Sequence, residues 1–479
     1  MRYSVKPVNI VLTVASLFST LLILFVYDGT KGYALLSLMP FTFFLMTVIT
    51  GRMLSNSSPG NFGVTVFVLL LFIRSVLHPI FFVLGGYSHV FLVSLNDRMP
   101  QAILLSVYEI VMVFLVMAVC DNKANKKIRK LINRENRTSY NLQAMRFWVY
   151  GLLLIFLVSF IIVPECKYFY LNISNITDIE FTGNEMSLVI DEFGTNFIKK
   201  FVMVSHNYLT KIIRFILPLH LVFEIHKKNQ LSSGYWQCMI LSALNIFIID
   251  GTIARGLVYA FVLMLLTCEI YGRQKNIYKI AVLALIAVVT YFAIRATVVS
   301  RAERDIWEYL SSYIGSYFSS VANTAANIRI ELTAKEIFQY LSYDILESIP
   351  FGNTLFNLES ISYQKLFNTV NNSTGQIPTT LGTGYTYFGP VFAPVISMFF
   401  AKLAYNSGLV VKYSQSVFKK GIYLILAIYS AMAVTMYYHK IVLVVIIGAL
   451  IPMLVINKLV EGRRKTKLHE KRGLYRQKG

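Results

Sequence analysis

Charge is what this chain has least of. Lys, Arg, Asp and Glu make up 14% of its 479 residues, where a soluble domain carries about 25%. That scarcity excludes an ordinary soluble globular protein. Cysteine is scarce as well. Cys120, Cys166, Cys238 and Cys268 lie in or beside different apolar runs, and only Cys166 falls in an external segment. No disulfide framework or metal-ligand spacing results. There is no HExxH, GxSxG or P-loop, which removes the zinc-protease, α/β-hydrolase and nucleotide-hydrolysing classes. There is no internal repeat, which argues against a transporter built from two matching halves. The N-terminal MRYSVKPVNI leads into an apolar run with no small-residue cleavage site, and the expectation is a retained signal anchor.

What is abundant is apolar: 56% of residues are hydrophobic and 14% aromatic. Runs of about 20 apolar residues recur along the whole chain, each long enough to cross a bilayer. The fold class expected is all-α and polytopic, with about 12 transmembrane helices. They fall at 8–27, 33–51, 62–85, 101–120, 147–164, 202–224, 235–250, 256–271, 279–298, 386–404, 421–438 and 441–457. The expected organisation is nine spans over 1–298 with an external loop at 165–200. A large, partly helical external loop follows at 299–385, then spans ten to twelve over 386–457 and a basic tail at 458–479.

A net charge of +21 raises the question of nucleic acid, but its distribution answers for a membrane. Residues 121–146 hold eight Lys/Arg and two acids, and 458–478 hold nine and two. By contrast 165–200 hold six acids and three bases, and 299–384 hold eight and five. Basic and acidic gaps alternate as the positive-inside rule requires, so both termini are expected in the cytoplasm of a multi-pass cytoplasmic (inner) membrane protein. No nucleic-acid partner is expected.

Several ionisable residues sit where hydrocarbon should be: Arg74, His78, Glu109, Lys211, Arg214, Asp250, Arg255, Arg295, His439 and Lys440. A charge at mid-bilayer costs about 2.5–3.5 kcal/mol even on insertion scales. On this topology Asp250, Arg255, Arg295, Arg301, Arg304, His206, His439 and Lys440 gather near the external face, against the trend that positive-inside sets. Each has a plain structural reading. Arg295 snorkels, Arg301 and Arg304 pair with Glu303, Asp305 or Glu308, and Asp250 with Arg255 staples a turn. Together they suit a phosphate or pyrophosphate, because a planar guanidinium gives paired hydrogen bonds to phosphate oxygens. A lipid-linked pyrophosphate is the corresponding membrane ligand.

The first external loop, YDGTKG, has one acid, Asp28. Metal-dependent lipid-sugar transferases often carry paired acids there, so neither a divalent metal nor a cofactor is expected. The chemistry left is displacement of pyrophosphate by a sugar hydroxyl. Arginines stabilise the leaving charge and a carboxylate or imidazole takes the proton. Asp250, Glu303, Asp305, Glu331 and His439 are all candidates for that base, and the sequence does not choose among them.

The early part of the long loop, 301–346, has no proline and an apolar residue every three or four positions (Ile306, Tyr309, Leu310, Tyr313, Ile314, Tyr317). One or two amphipathic helices are predicted there, on the outer leaflet or over a cavity. The loop ends in GQIPTTLGTGYTYFGP (375–390), with four glycines, four threonines and two prolines just before an apolar run. Gly382 and Gly384 would let the backbone approach a ligand. Thr383 would cap a helix starting near Tyr385, with its amides facing an anion or a sugar. Thr379, Thr380, Tyr385 and Tyr387 add hydroxyls and rings suited to glycans. The plain alternative is a loop-to-helix junction with interfacial tyrosines.

The layout, the external DGTIARG (250–256) and the stretch QIPTTLGTGYTYFG (376–389) resemble the oligosaccharide repeat-unit polymerases, the Wzy-type polymerases of O-antigen and capsule. Arg304 and Gly315 match an Arg-x10-Gly spacing described in that family. The related ligases carry a histidine in their large external loop, and 299–385 has none. The resemblance implies transfer of a growing glycan from undecaprenyl pyrophosphate to the sugar of an incoming lipid-linked repeat. It implies Arg255 and Arg304 as the first pyrophosphate ligands, with Arg301 and Arg295 next. It also implies membrane lipid, a flippase and a chain-length regulator as partners. The rivals are a lipid-oligosaccharide flippase, a ligase and a scaffold.

Overall fold

The computed structural model describes residues 7–57, 61–135, 138–169, 196–245, 253–273, 276, 306–318, 320–349, 352, 362–436 and 438–463. It is helical apart from one two-stranded ladder, Thr138–Tyr140 with Glu461–Arg463. The helices are α1 (Pro7–Val26), α2 (Leu38–Ile49), α3 (Phe62–Leu84), α4 (Met99–Asn122), α5 (Ala124–Glu135) and α6 (Leu142–Ile162). After them come α7 (Phe197–Lys228), α8 (Ser232–Leu244) and α9 (Ile253–Ile270). In the long loop are α10 (Ile306–Tyr317), α11 (Val321–Ile328), α12 (Ala334–Ser348) and α13 (Tyr363–Val370). The chain ends with α14 (Thr380–Phe392), α15 (Val395–Tyr413), α16 (Val417–Thr435) and α17 (His439–Val460).

Six of these are long and apolar enough to cross a membrane: α1, α3, α4, α6, α16 and α17. The pair α14 and α15 makes a seventh if it is one broken span. This fits an α-helical membrane protein. Exposed Ile10, Val11, Val14, Phe18, Leu21 and Phe25 along α1 give it an outward apolar face suited to lipid. The expected span at 33–51 is represented by α2, only 12 residues long. The expected span at 202–224 lies inside α7, which carries Lys211 and Arg214. Span 279–298 and the end of 235–250 lie outside the described residues.

The expected straight span at 386–404 is corrected. The chain breaks there, and α14 and α15 are bent by 106°. Gly389 sits at φ 76°, ψ 177°, a conformation open only to glycine. Pro390 and Pro394 follow it, each without an N–H for the helical ladder.

The residues form two compact units. One comprises 1–123, 272–412 and 423–448. Its core joins Leu36 and Met39, Phe82, Met99 and Ile103 to Val321, Ala322, Ala325, Ala326 and Phe367 from the long-loop helices and to Leu381 of α14. All eight residues of α11 are buried, so this helix lies in the core; the residues read as an amphipathic helix from Ile306 to Tyr317 form α10. Its alanines allow close approach to α4 and α14. The other unit comprises 124–271, 413–422 and 449–479. There Arg146 forks onto Glu224 (2.9–3.0 Å) and Lys420 pairs with Glu269 (3.1 Å).

Side-chain caps start seven of the described helices. Asn61, Asn141, Asn196, Ser320, Thr333, Ser362 and Thr379 each accept an N–H from the first turn. At α12 the cap is reciprocal, since the Glu336 carboxylate takes the Thr333 N–H at 2.8 Å.

Candidate functional site

The long-loop helices meet the turn between α16 and α17 at a buried polar joint in the first unit. α12 carries Asp344 and Glu347 three residues apart, hence on one face. The first two residues of α17, His439 and Lys440, come up against them. His439 Nε2 lies 3.1 Å from Asp344 Oδ2, and Lys440 pairs with Glu347. The Tyr387 hydroxyl donates to Asp344 Oδ2 at 3.1 Å, and the Tyr438 hydroxyl reaches Oδ1 at 3.5 Å. The other nitrogen of His439, Nδ1, is 3.4 Å from Thr383 Oγ1. Asp344 is 1% exposed, His439 4% and Thr383 0%.

The Thr383 hydroxyl is also within hydrogen-bond reach of the carbonyls of Thr379 and Thr380 (3.1 and 3.0 Å). Both ring nitrogens of His439 thus have a polar partner inside the joint, which is buried and ties α12 and α14 to the start of α17.

The stretch 376–390 is woven into this joint by its own threonines. Thr379, not Thr383, is the cap: its hydroxyl oxygen accepts the Gly382 N–H at 2.7 Å, and the helix begins at Thr380. Thr383 lies one turn in, which corrects the expectation that it caps a helix near Tyr385. Nor do the first amides face outward, since Thr379 and Thr380 are fully buried and Thr380 donates to the Ala433 carbonyl. Gly382 and Gly384 are approached by the chain itself, by the Asn327 side chain and the Ala393 carbonyl, and not by an open ligand space. The Tyr385 hydroxyl accepts from Gln101 of α4 at 3.1 Å. Tyr363 bridges Asn327 Oδ1 and Thr386, each at 3.0 Å.

Of the expected site residues, Thr383 and His439 are brought together. Asp250, Arg295, Arg301 and Arg304, with Glu303 and Asp305, lie outside the described residues. Arg255 falls in the first turn of α9; its side chain is outside the described set. Glu331 is exposed between α11 and α12. Among the described residues no three His, Cys, Asp or Glu side chains are close enough to hold a metal ion. Asp344, Glu347 and Tyr438 are the joint residues that sequence reading did not assign, and Tyr387, read as a glycan contact, is bonded to Asp344 instead. Asp344 had a legible signal. Ile337, Leu341, Asp344 and Ser348 fall at helical spacing on the inward face of α12, so an acid stands where the stripe calls for an apolar residue.

Inside the spans the misplaced charges find each other. Arg74, in a π-helical turn of α3, donates to Glu109 of α4 at 2.7 Å and to the Val434 carbonyl at 2.8 Å. Ser397 of α15 closes on the same carboxylate. Arg214 lies 3.7 Å over the Tyr259 ring, and Lys211 lies 4.8 Å over that of Tyr208.

Compared with known proteins, the chain matches no family model, no curated protein and no solved structure.

Proposed function

We propose that this is a membrane polymerase that joins undecaprenyl-pyrophosphate-linked oligosaccharide repeats into surface polysaccharide at the outer face of the bacterial cytoplasmic membrane. The finer topology belongs to the same proposal: twelve spans, both termini cytoplasmic, and the 299–385 segment external. The observation that carries it is the polar joint. The helices of the long segment close on the turn before α17 through Asp344, Glu347, His439 and Lys440. This puts paired acids and cations at the start of α17, a candidate span, which is the depth this reading gives to a lipid-linked headgroup.

In the reaction the acceptor-sugar hydroxyl attacks the anomeric carbon of the donor glycan. The bond from that carbon to pyrophosphate oxygen breaks, and undecaprenyl pyrophosphate leaves with the electron pair. On this reading the leaving charge falls to Arg255 and Arg304 first and to Arg295 and Arg301 next. A carboxylate, Asp250 first, takes the hydroxyl proton. His439 and Thr383 hold α14 in place and present Tyr385 nearby.

A second reading, a flippase for the same lipid-linked oligosaccharide, draws on the Arg74–Glu109 pair buried within α3 and α4. Deleting the gene and running surface glycans and lipid-linked intermediates on a gel separates the two. Single repeats exposed on the outer face are expected, and Arg255→Ala or Arg304→Ala at unchanged protein level should reproduce them. Repeats trapped on the cytoplasmic side would mean a flippase. Full-length polymer left on its lipid carrier would mean a ligase.

A further inference from the structure

On the first unit, apart from the buried joint, an open depression of about 780 Å³ lies along α13 and the turn after it. Its described lining is almost wholly amide and hydroxyl: Asn368, Thr369, Asn372 and Thr374 among them, with one cation, Lys365, and one apolar lip, Leu92. No acid and no aromatic ring stands among those lining residues. We infer that this depression binds a stretch of oligosaccharide.

The chemistry narrows the ligand class. Apolar contact comes from Leu92, 84% exposed, and from the aliphatic parts of the polar lining side chains, so the groove mixes C–H surface with amides and hydroxyls. A nucleic-acid strand needs stacking rings and several cations, and the lining offers neither. A sugar chain presents rows of hydroxyls that need neutral donors and acceptors, and C–H faces that can rest on Leu92. Lys365 adds a single point charge for a carboxylate or phosphate substituent.

The floor is rigid before any ligand arrives. Asn368 Nδ2 donates to the Gln376 carbonyl at 2.9 Å, while its Oδ1 accepts the Gln376 N–H at 2.9 Å and the Ser373 hydroxyl at 3.0 Å. Gln364 donates to the same carbonyl at 3.2 Å, and Asn371 ties the turn to the Ala326 carbonyl at 3.2 Å. Asn372 sits at φ 46°, in the left-handed region that asparagine tolerates. By contrast the Lys365 ammonium, the Asn372 side-chain amide and the Thr374 hydroxyl make no hydrogen bond among the described residues, so they are available. A binding surface whose supports are already bonded loses little conformational entropy on binding. Four residues past Gly375 the chain reaches Thr379, the cap of α14, so the groove is joined to the Thr383–His439–Asp344 joint by a short segment.

The identity of the glycan rests on the polymerase reading; the contact rests on the groove. The test uses the full-length protein in lipid nanodiscs. The probe is lipid-free oligosaccharide released from the host cell's own surface polysaccharide. Binding is compared with that of the Lys365→Gln/Thr374→Val variant, whose substitutions lie on the surface and outside the transfer machinery. Wild-type binding weakened about tenfold or more in the variant is the expected result. Equal binding by both would overturn the groove and leave the polymerase reading standing. No binding by wild type would also overturn it, while the deletion gel decides the polymerase reading separately.

Discussion

His439 is held between the Thr383 hydroxyl and the Asp344 carboxylate with almost no solvent contact. Removing one member of a buried pair leaves the other uncompensated, at a cost of about 3–5 kcal/mol. His439→Leu should therefore lower the thermal midpoint of the detergent-solubilised protein clearly. Asp344→Leu combined with His439→Leu should recover most of the loss. An unchanged midpoint in the single variant would mean that the pair contributes nothing. The Glu336 carboxylate is held below its ordinary range, first by the Thr333 backbone N–H and then by the Thr333 hydroxyl. A depressed carboxylate contributes stability above its unfolded value and loses it as pH falls through its folded one. Amide exchange in the first turn of α12 should thus accelerate, relative to the rest of that helix, when the pH drops below about 4. In Thr333→Ala that acid-induced step should shrink but persist, because the larger contribution, the backbone N–H, remains.

At the scale of elements, the break between α14 and α15 depends on one backbone conformation. Gly389→Ala forces a side chain into a region that is essentially glycine-only, at about 1–3 kcal/mol. The expected result is a lower midpoint and faster exchange in α14, with α16 protected as before; uniform protection would contradict it. The straight run at 386–404 was misread because a hydropathy window sums apolar character and is blind to geometry. Gly389, Pro390 and Pro394 were visible, but only their positions relative to the ladder set a 106° bend. Helices α3, α4, α6, α16 and α17 were legible because about 20 apolar residues in sequence suffice to mark them. α11, VANTAANI, was not. Eight small and polar residues carry no strong period, and their burial comes from α4 and α14, which are distant in sequence. In the candidate site His439 and Thr383 were readable as residues. Their partner Asp344 was marked only by its place on a helical stripe.

At the scale of the whole molecule, both compact units are assembled from segments far apart in the chain. The proposed topology puts the groove after α13 and the basic tail after α17 on opposite sides of the membrane. Cysteines placed singly at Thr374 and Lys467, in a protein with its four native cysteines replaced, provide the check. A membrane-impermeant maleimide added to intact spheroplasts should label position 374 and spare 467, and lysis should expose the second. Labelling of both before lysis, or of 467 alone, would invert or abolish the arrangement.

The Asp344–His439 contact spans 95 residues, and that separation acts on a clock. Ribosomes add about 5–20 residues per second, so Asp344 and Glu347 leave the ribosome roughly 5–20 s before the cations that answer them. Throughout that interval the acids of α12 must stay in water or with a helper, because burying them unpaired is forbidden by the same cost that later fixes them. The first unit can close only when α17 has been made. A premature stop just upstream of Tyr438 would leave every earlier helix synthesised and the joint open, displaying two carboxylates to the proteases that survey unfinished membrane proteins.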